Sequence, residues 1–157
     1  MTNVCRGMLK SYAYKLMNFW GTLIKYGCVA HCISEYIGDF VVCTGPSMEP
    51  TIRSNDILLT EHISTQFQTI NKGDIIITKC PTNPREHICK RVIALPGDKV
   101  RYDIVTHIVP LGHVWVEGDN KDNSSDSRSY GPIPQGLIRG RAVCRVWPFT
   151  NIAFPAK

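Results

Sequence analysis

The sequence predicts a mainly β protein, in which an antiparallel sheet or partial barrel follows an N-terminal helix that is amphipathic or transmembrane. From residue 40 onward, short runs rich in β-branched and aromatic residues are separated by glycine, proline and asparagine. No long helical pattern lies between these runs, and successive strands without intervening helices form antiparallel sheets. We therefore expect an anchor or targeting helix over residues 1–39 and a β domain over residues 40–157.

The composition is that of a folded protein with one core of ordinary size. Of 157 residues, 43% are hydrophobic and 20% are charged, which excludes a disordered or collagen-like protein. The net charge of +5 suits an anionic membrane surface at least as well as nucleic acid. The seven cysteines are spread along the chain, so we expect mostly reduced, buried thiols and no dense disulfide framework.

The N-terminal segment is basic as well as apolar, because the first 34 residues contain no acidic side chain. Apolar residues recur at helical spacing from Leu9 to Ile24, while Lys15 and Lys25 fall on the other side, which predicts an amphipathic helix. Lys25 divides the apolar stretch into pieces shorter than the roughly 20 residues of a comfortable membrane span. Such a start resembles mitochondrial targeting. A helix packed on the surface of the domain is the alternative.

Seven strands are predicted after this helix, each bounded by turn-forming residues. They cover residues 40–44, 57–60, 74–79, 88–95, 99–102, 113–117 and 140–147. No internal repeat is visible, so the strands belong to one domain.

Ser47 lies directly after the first predicted strand, on a turn between Pro46 and Pro50. Because proline restricts the backbone, the serine hydroxyl is held rigidly and its backbone N–H can point at a reacting oxygen. This placement suits a nucleophile. Taken alone, the segment reads rather as an ordinary proline-rich turn.

Lys90 lies inside an otherwise apolar strand. With the alternation of a β-strand it shares a face with Ile88, Val92 and Ala94, so we expect its amine to be desolvated. Desolvation lowers a lysine pKa by as much as about 3–5 units, and a neutral amine is a base. The neighbouring Arg91 keeps its proton and has no such role. The alternative is that Lys90 extends its amine to solvent from an edge strand.

Residues 118–128 form a loop dense in short polar side chains. Such loops hydrogen-bond their own backbone and brace neighbouring groups. We expect Ser124 to orient the amine of Lys90, and Asp126 to pair with Arg128 and fix the loop. A solvated turn is the alternative.

Histidine and metal chemistry have less support in the sequence. His62 is predicted to lie in a polar loop, and none of the five histidines has a neighbouring serine-rich turn, although a Ser-His-Asp triad is defined in space and not by spacing. The nearest approach to metal-ligand spacing is formed by Cys28, His31 and Cys32. These residues lie in an apolar helix, where packing is the better interpretation.

Three segments, taken together and in this order, resemble the type I signal peptidase family. They are residues 45–51 (Gly-Pro-Ser-Met-Glu-Pro-Thr), residues 90–98 (Lys-Arg-Val-Ile-Ala-Leu-Pro-Gly-Asp) and residues 118–128 (Gly-Asp-Asn-Lys-Asp-Asn-Ser-Ser-Asp-Ser-Arg). The resemblance covers the chain from about residue 40 to residue 148. Within the family, it is strongest to the members of the mitochondrial inner membrane.

The resemblance implies a signal-peptidase-type fold and a role for each matching residue. The implied site consists of Ser47 as nucleophile, Lys90 as general base, and Ser124, Asp126 and Arg128 as supporting residues. The resemblance implies no metal and no organic cofactor. Endoplasmic-reticulum members use histidine in place of the lysine, so Lys90 groups this chain with the bacterial and organellar members.

The resemblance also implies one oxyanion-hole donor, the substrates, the partners and the location. The donor would be the backbone N–H of Ser47; many bacterial members add a serine hydroxyl two positions earlier, where this chain has Gly45, so a second donor is not identified. Substrates would be sorting or signal presequences of precursor proteins delivered to the mitochondrial intermembrane space. The enzyme would lie at the inner membrane with its catalytic domain facing that space. Implied partners are a homologous second protease subunit, in a heterodimer, and the membrane, but no nucleic acid.

Two rival functions share parts of this pattern. A self-cleaving Ser-Lys repressor-type peptidase would carry a DNA-binding helix-turn-helix and a cleavable linker, and neither is visible in the sequence. A membrane-anchored β domain that scaffolds a complex would carry Ser47 and Lys90 only as turn and strand residues. Cleavage of a presequence peptide distinguishes the enzyme from the scaffold.

Overall fold

The structure is a computed structural model that describes residues 2–103 and 105–149. The chain divides into two compact units between residues 36 and 37. The first unit is helical and the second contains all the described strands.

The first unit consists of helix α1 (Thr2–Cys32), which continues into a π-helical turn (Ile33–Ile37). The predicted N-terminal helix is therefore confirmed. Apolar side chains such as Phe19, Trp20 and Ile24 are exposed on it. Over the described ranges, no helix combines the length and the hydropathy that a membrane span requires.

The second unit contains nine described strands and two short α-helices. The strands are β1 (Gly38–Val42), β2 (Ile57–Glu61), β3 (Ile75–Lys79), β4 (His87–Ala94), β5 (Lys99–Tyr102), β6 (Val105–Ile108), β7 (His113–Glu117), β8 (Ile133–Pro134) and β9 (Ile138–Trp147). The helices are α2 (Ile63–Gln66) and α3 (Ser127–Tyr130), and single 3-10 turns lie at Lys121–Asn123 and Gln135–Leu137.

Seven of the strands form one sheet in the order β1-β2-β9-β3-β4-β7-β8, and β5 pairs with β6 in a separate ribbon. Every pairing is antiparallel. The prediction of a mainly β, antiparallel fold is thus confirmed. Each predicted strand is present: β5 and β7 have the predicted bounds, and the ends of the other five differ by one or two residues. Strands β6 and β8 were not predicted.

The core packs against both faces of β3. Ile75 and Ile77 belong to one buried cluster together with Met48 and Ile52, while Ile76 belongs to a second. Burying a side chain of this size stabilises the fold by roughly 1.5–3 kcal/mol. The turn between β1 and β2 is consequently anchored in the core by its own apolar side chains.

The described cysteines are free and His62 lies outside the strands, as expected, but both expectations were wrong about burial. All six described cysteines are free, but only Cys43 is buried, and Cys28 and Cys32 are exposed. His62 is 4% exposed, not in a solvated loop, because β9 packs against its ring at Gly140, where a Cβ would lie 2.8 Å from Cδ2 of His62. Among the described residues, no group of three or more His, Cys, Asp or Glu residues is placed to hold a metal ion.

Candidate active site

Ser47 lies on the turn that joins β1 to β2, and this turn is fixed at both ends. The backbone N–H of Cys43 donates to the carbonyl of Asp56 at 2.8 Å, and the N–H of Asn55 donates to the carbonyl of Cys43 at 2.8 Å. Met48, next to Ser47, is 3% exposed and packs in the core. The half-buried Ser47 is therefore presented on a backbone with little freedom.

Lys90 is buried in β4, where it is only 3% exposed. Val92 and Ala94, which share its face of the strand, are buried with it. This burial excludes the alternative of an amine extended to solvent. It also lowers the pKa of the Lys90 amine, although the carboxylate of Asp126 acts in the opposite direction. The amine consequently becomes neutral at a lower pH than that of a free lysine.

The amine of Lys90 is oriented by a short chain of hydrogen bonds. Its Nζ donates to Oγ of Ser124 at 2.9 Å, and Oγ of Ser124 donates to Oδ2 of Asp126 at 2.8 Å. Because the Ser124 hydrogen is used on the carboxylate, its lone pairs face the amine. A neutral amine held in this way keeps its own lone pair free to accept a proton.

Asp126 is fully buried and anchors this chain. Arg128 donates to both carboxylate oxygens at 2.8 Å, and the backbone N–H of Gly118 donates to Oδ2 at 3.0 Å. Burial alone would raise the pKa of Asp126, but hydrogen bonds from Arg128, Gly118 and Ser124 hold it at about 2. Asp126 is therefore charged at neutral pH, and the loop that carries it is not a solvated turn.

The loop also touches the Ser47 turn directly, through Gly118. A Cβ built on Gly118 would lie 2.5 Å from the carbonyl oxygen of Ser47 and 2.3 Å from Oγ of Ser124. The Ser47 carbonyl and the Ser124 hydroxyl thus lie on the same side of Gly118, close to each other. The structure therefore brings the Ser47 turn to the hydroxyl that binds the Lys90 amine.

Asn120 makes two further bonds from the loop to the Ser47 turn. Its backbone N–H donates to the carbonyl of Ser47 at 3.1 Å, and its Nδ2 donates to the carbonyl of Pro46 at 3.1 Å. The turn is thus held by the loop on both sides of the serine nitrogen.

A partly buried ion pair supports the same contact from the other face of β4. Nε and Nη2 of Arg91 donate to the two carboxylate oxygens of Asp119 at 2.8 and 2.7 Å, and Nη1 donates to the carbonyl of Gly73 at 2.9 Å. The hydroxyl of Thr51 donates to Asp119, which together with Arg91 lowers the pKa of that carboxylate against the effect of burial. The successive residues Lys90 and Arg91 therefore both reach the 118–128 loop.

Four of the five predicted site residues share one chain of hydrogen bonds: Lys90, Ser124, Asp126 and Arg128. Ser47 reaches the same loop through its carbonyl oxygen. Their catalytic roles stay predictions. Sequence reasoning missed the contributions of Gly118, Asp119 and Asn120. One signal was available for Asp119, since a cation in an apolar strand requires an acidic partner.

A cleft of about 140 Å³ opens beside Ser47. One wall is formed by residues 41–45 at the end of β1 and the other by residues 87–89 at the start of β4, with Met48, Ile52 and Ile77 between them. β1 is an edge strand, and β4 pairs with β7 only from Arg91 onward. In the described part of the chain, both walls therefore carry strand edges that no other strand occupies, which suits an extended peptide.

Comparison with known proteins links these residues to a family of proteases. The profile of the family described as "Signal peptidase, peptidase S26" matches residues 16–108 and 103–147. These matched ranges contain the Ser47 turn, β4 and the 118–128 loop.

Two of the similar proteins match over nearly the whole chain, and two others match over part of it. Mitochondrial inner membrane protease subunit 1 of Xenopus tropicalis is 54% identical over 150 residues, which cover 92% of this chain and 90% of that protein. The protein of the same name from Homo sapiens is 50% identical over 153 residues, covering 94% and 92%. Mitochondrial inner membrane protease subunit 2 of Mus musculus is 40% identical over 124 residues, covering 70% of each. A solved structure of a signal peptidase I from Enterococcus faecalis aligns at 25% identity with a TM-score of 0.41, covering 46% of this chain and 95% of that one.

Proposed function

We propose that this chain, which belongs to the signal peptidase family, peptidase S26, cleaves peptide bonds with Ser47 as nucleophile and Lys90 as general base. The resemblance inferred from the three motifs is confirmed, and the chain is a membrane-associated serine endopeptidase of the signal peptidase type. One observation carries the assignment of the residues. The buried Lys90 amine binds Ser124 at 2.9 Å in the loop that also holds the backbone of Ser47.

In the first proposed step, the neutral amine of Lys90 takes the proton of the Ser47 hydroxyl. Oγ of Ser47 then forms a bond to the carbonyl carbon of the scissile peptide, and the carbonyl electrons move to its oxygen. The backbone N–H of Ser47 stabilises this oxyanion. When the intermediate collapses, the C–N bond breaks and the amine leaves with the proton that Lys90 had taken.

In the second proposed step, Lys90 takes a proton from a water molecule, whose oxygen attacks the ester carbon of the acyl-enzyme. The ester C–O bond breaks, and Lys90 returns the proton to Oγ of Ser47. The protein then carries the same protons as at the start. Neither step needs a metal ion or an organic cofactor.

We infer that the substrate lies extended in the cleft between residues 41–45 and residues 87–89. A peptide bound in this way adds a strand to one of the free sheet edges, and its alternate side chains enter the cleft. The space between Met48, Ile52 and Ile77 is apolar. A small apolar side chain near the cut is therefore the best fit.

The names of the relatives support a location and a partner. Relatives named mitochondrial inner membrane protease subunit 1 support a place at the mitochondrial inner membrane. We infer that the second unit faces the intermembrane space and removes presequences from proteins delivered there. A relative named subunit 2 of the same protease supports a homologous second subunit as partner.

A cleavage assay with the purified full chain and a presequence peptide tests this function. Ser47→Ala and Lys90→Met are each expected to lower kcat/KM by at least about 10³-fold, since either change removes a reacting group. The controls are Ser129→Ala and Lys79→Met, which alter exposed residues and should leave cleavage unchanged. Full activity in either site variant, with unaltered thermal unfolding, would overturn the proposed roles of Ser47 and Lys90, whereas no cleavage by the unaltered chain would favour the scaffold.

A further inference from the structure

We propose that Asn120 is a positioning residue that fixes the direction of the Ser47 backbone N–H. This inference rests on the proposed function, in which that N–H binds the oxyanion. Asn120 bonds to two consecutive carbonyl groups, because its Nδ2 donates to Pro46 and its backbone N–H donates to Ser47, both at 3.1 Å.

The bond to Pro46 determines where the Ser47 N–H points. The peptide between Pro46 and Ser47 is trans, since the cis bonds of the described residues lie at Glu49-Pro50 and Trp147-Pro148. In a trans peptide the C=O and the N–H point in opposite directions from one rigid plane. Asn120 holds the Pro46 carbonyl toward the 118–128 loop, so the Ser47 N–H is directed away from that loop.

The bond to Ser47 fixes the next peptide plane. The orientations of the two flanking planes determine the backbone dihedral angles of a residue, and Asn120 holds both of them. Gly118 allows the Ser47 carbonyl to come this close. The N–H and the Cβ of Ser47 are consequently fixed relative to Lys90, which is oriented by the same loop through Ser124.

A second observation is that the Asn120 side chain does not cap its own 3-10 turn. Asn120 is the N-cap of the 3-10 turn Lys121–Asn123, a position where asparagine commonly binds the backbone N–H groups of its own helix. Here its side chain makes no such cap bond. The amide instead reaches across to a carbonyl 74 residues earlier in the chain.

Asparagine has the chemistry that this contact requires. Its amide supplies an N–H donor for the Pro46 carbonyl, while the isosteric aspartate would supply only acceptor oxygens. Asn120→Asp therefore replaces the hydrogen bond to the Pro46 carbonyl by repulsion between two oxygen atoms, without changing the shape of the side chain. The backbone bond from position 120 to Ser47 is kept in both this variant and Asn120→Ala.

The test compares Asn120→Asp and Asn120→Ala with the unaltered full chain and with Asn123→Ala, an exposed asparagine of the same loop. Three quantities are measured: kcat and KM for a presequence peptide, the Kd of a peptide aldehyde of the same sequence, and the Kd of the product peptide acid. The aldehyde forms a tetrahedral adduct with Ser47, so its affinity reports the oxyanion donor, whereas the product acid forms no adduct and its affinity reports mainly the cleft.

We expect kcat to fall by about 10- to 100-fold in both Asn120 variants, with KM within about threefold of the unaltered value. The Kd of the aldehyde should rise by a similar factor, while the Kd of the product acid changes by no more than about threefold and the melting temperature stays unchanged. Asn123→Ala should behave like the unaltered chain.

Unchanged aldehyde affinity in the Asn120 variants overturns the positioning role. An equal loss of affinity for aldehyde and product, with a lowered melting temperature, overturns it as well, because it shows a merely structural contact. The proposed function fails in a different way: the Ser47→Ala chain would then cleave the peptide as the unaltered chain does.

Discussion

Gly118 lies so close to Ser47 that a Cβ at position 118 would come within 2.5 Å of the serine carbonyl oxygen. The hydroxyl oxygen of Ser124 would lie 2.3 Å from the same Cβ. Position 118 therefore requires glycine, because a larger side chain has no room there. Gly118 follows directly after β7 and lies against the turn that presents the proposed nucleophile.

Gly118→Ala is expected to lower kcat/KM by about 100-fold or more. The Ser47 carbonyl belongs to the backbone, so it cannot yield to the added methyl group without turning Ser47 away from Lys90. Gly136→Ala is the matched control, since a Cβ there meets nothing within 4 Å. Peptide cleavage and thermal unfolding of both variants check this prediction. Native activity of Gly118→Ala would show that the two segments separate in solution.

Ser124→Ala is expected to lower kcat by about 10- to 100-fold with little change in KM. The change leaves Lys90 buried but removes the acceptor that directs its amine. Ser124→Thr keeps a hydroxyl and should recover part of the activity. The control is Ser125→Ala, an exposed neighbour. If steady-state kinetics gave the same values for Ser124→Ala and Ser125→Ala, the orienting role would be wrong.

Asp126 is expected to make stability dependent on pH in the acid range. Its pKa of about 2 in the folded protein lies below the value of about 3.9 in an unfolded chain. The carboxylate therefore contributes stability that is fully present above about pH 4 and is lost as the pH falls toward 2. A shift of this size is worth roughly 2 kcal/mol.

Urea unfolding at pH 7, 5 and 3 measures this contribution. Asp126→Asn should have a lower free energy of unfolding than the unaltered chain at pH 7. The difference between the two free energies should become smaller as the pH falls toward 3. A gap that stays constant over this range would contradict the assigned pKa.

Arg91→Lys is expected to destabilise the protein by about 1–2 kcal/mol and to lower activity several-fold. Lysine keeps the charge but loses the planar fork that binds both oxygens of Asp119. The control is Lys72→Ala, which removes a solvent-accessible ion pair with Asp98 and should have little effect on stability, because solvent screens such pairs. Chemical unfolding compares the two. If Arg91→Lys lowered the free energy of unfolding no more than Lys72→Ala does, the ion pair between Arg91 and Asp119 would contribute little to stability.

Those parts of the site that follow from local patterns could be predicted from the sequence. The alternation of β4 predicted the burial of Lys90, because the strand period alone determines which residues share a face. The composition of the 118–128 loop predicted that Ser124 orients the amine of Lys90 and that Asp126 fixes the loop. The pairing of Asp126 with Arg128, which joins residues only two positions apart, was predicted by the same reasoning and is confirmed.

The contacts of Asn120 and Gly118 could not be predicted in this way. Both are made to backbone carbonyls of a turn more than 70 residues earlier, and a backbone carbonyl has no signature in the sequence. Strand β8 contains only two residues, which is too short for an alternation. His62 is buried because Gly140 of β9 packs against it. The residues next to His62 in the sequence therefore gave no indication of its burial.

The pH dependence of kcat/KM tests most directly whether Lys90 acts as a neutral base. For a peptide without titrating groups, the rate should rise along one limb and reach an alkaline plateau, and the apparent pKa should lie below the value of about 10.4 for free lysine. Lys90→Met should show no such limb at any pH. A bell-shaped profile centred near the imidazole pKa of about 6.5, or the same limb in Lys90→Met, would contradict the account.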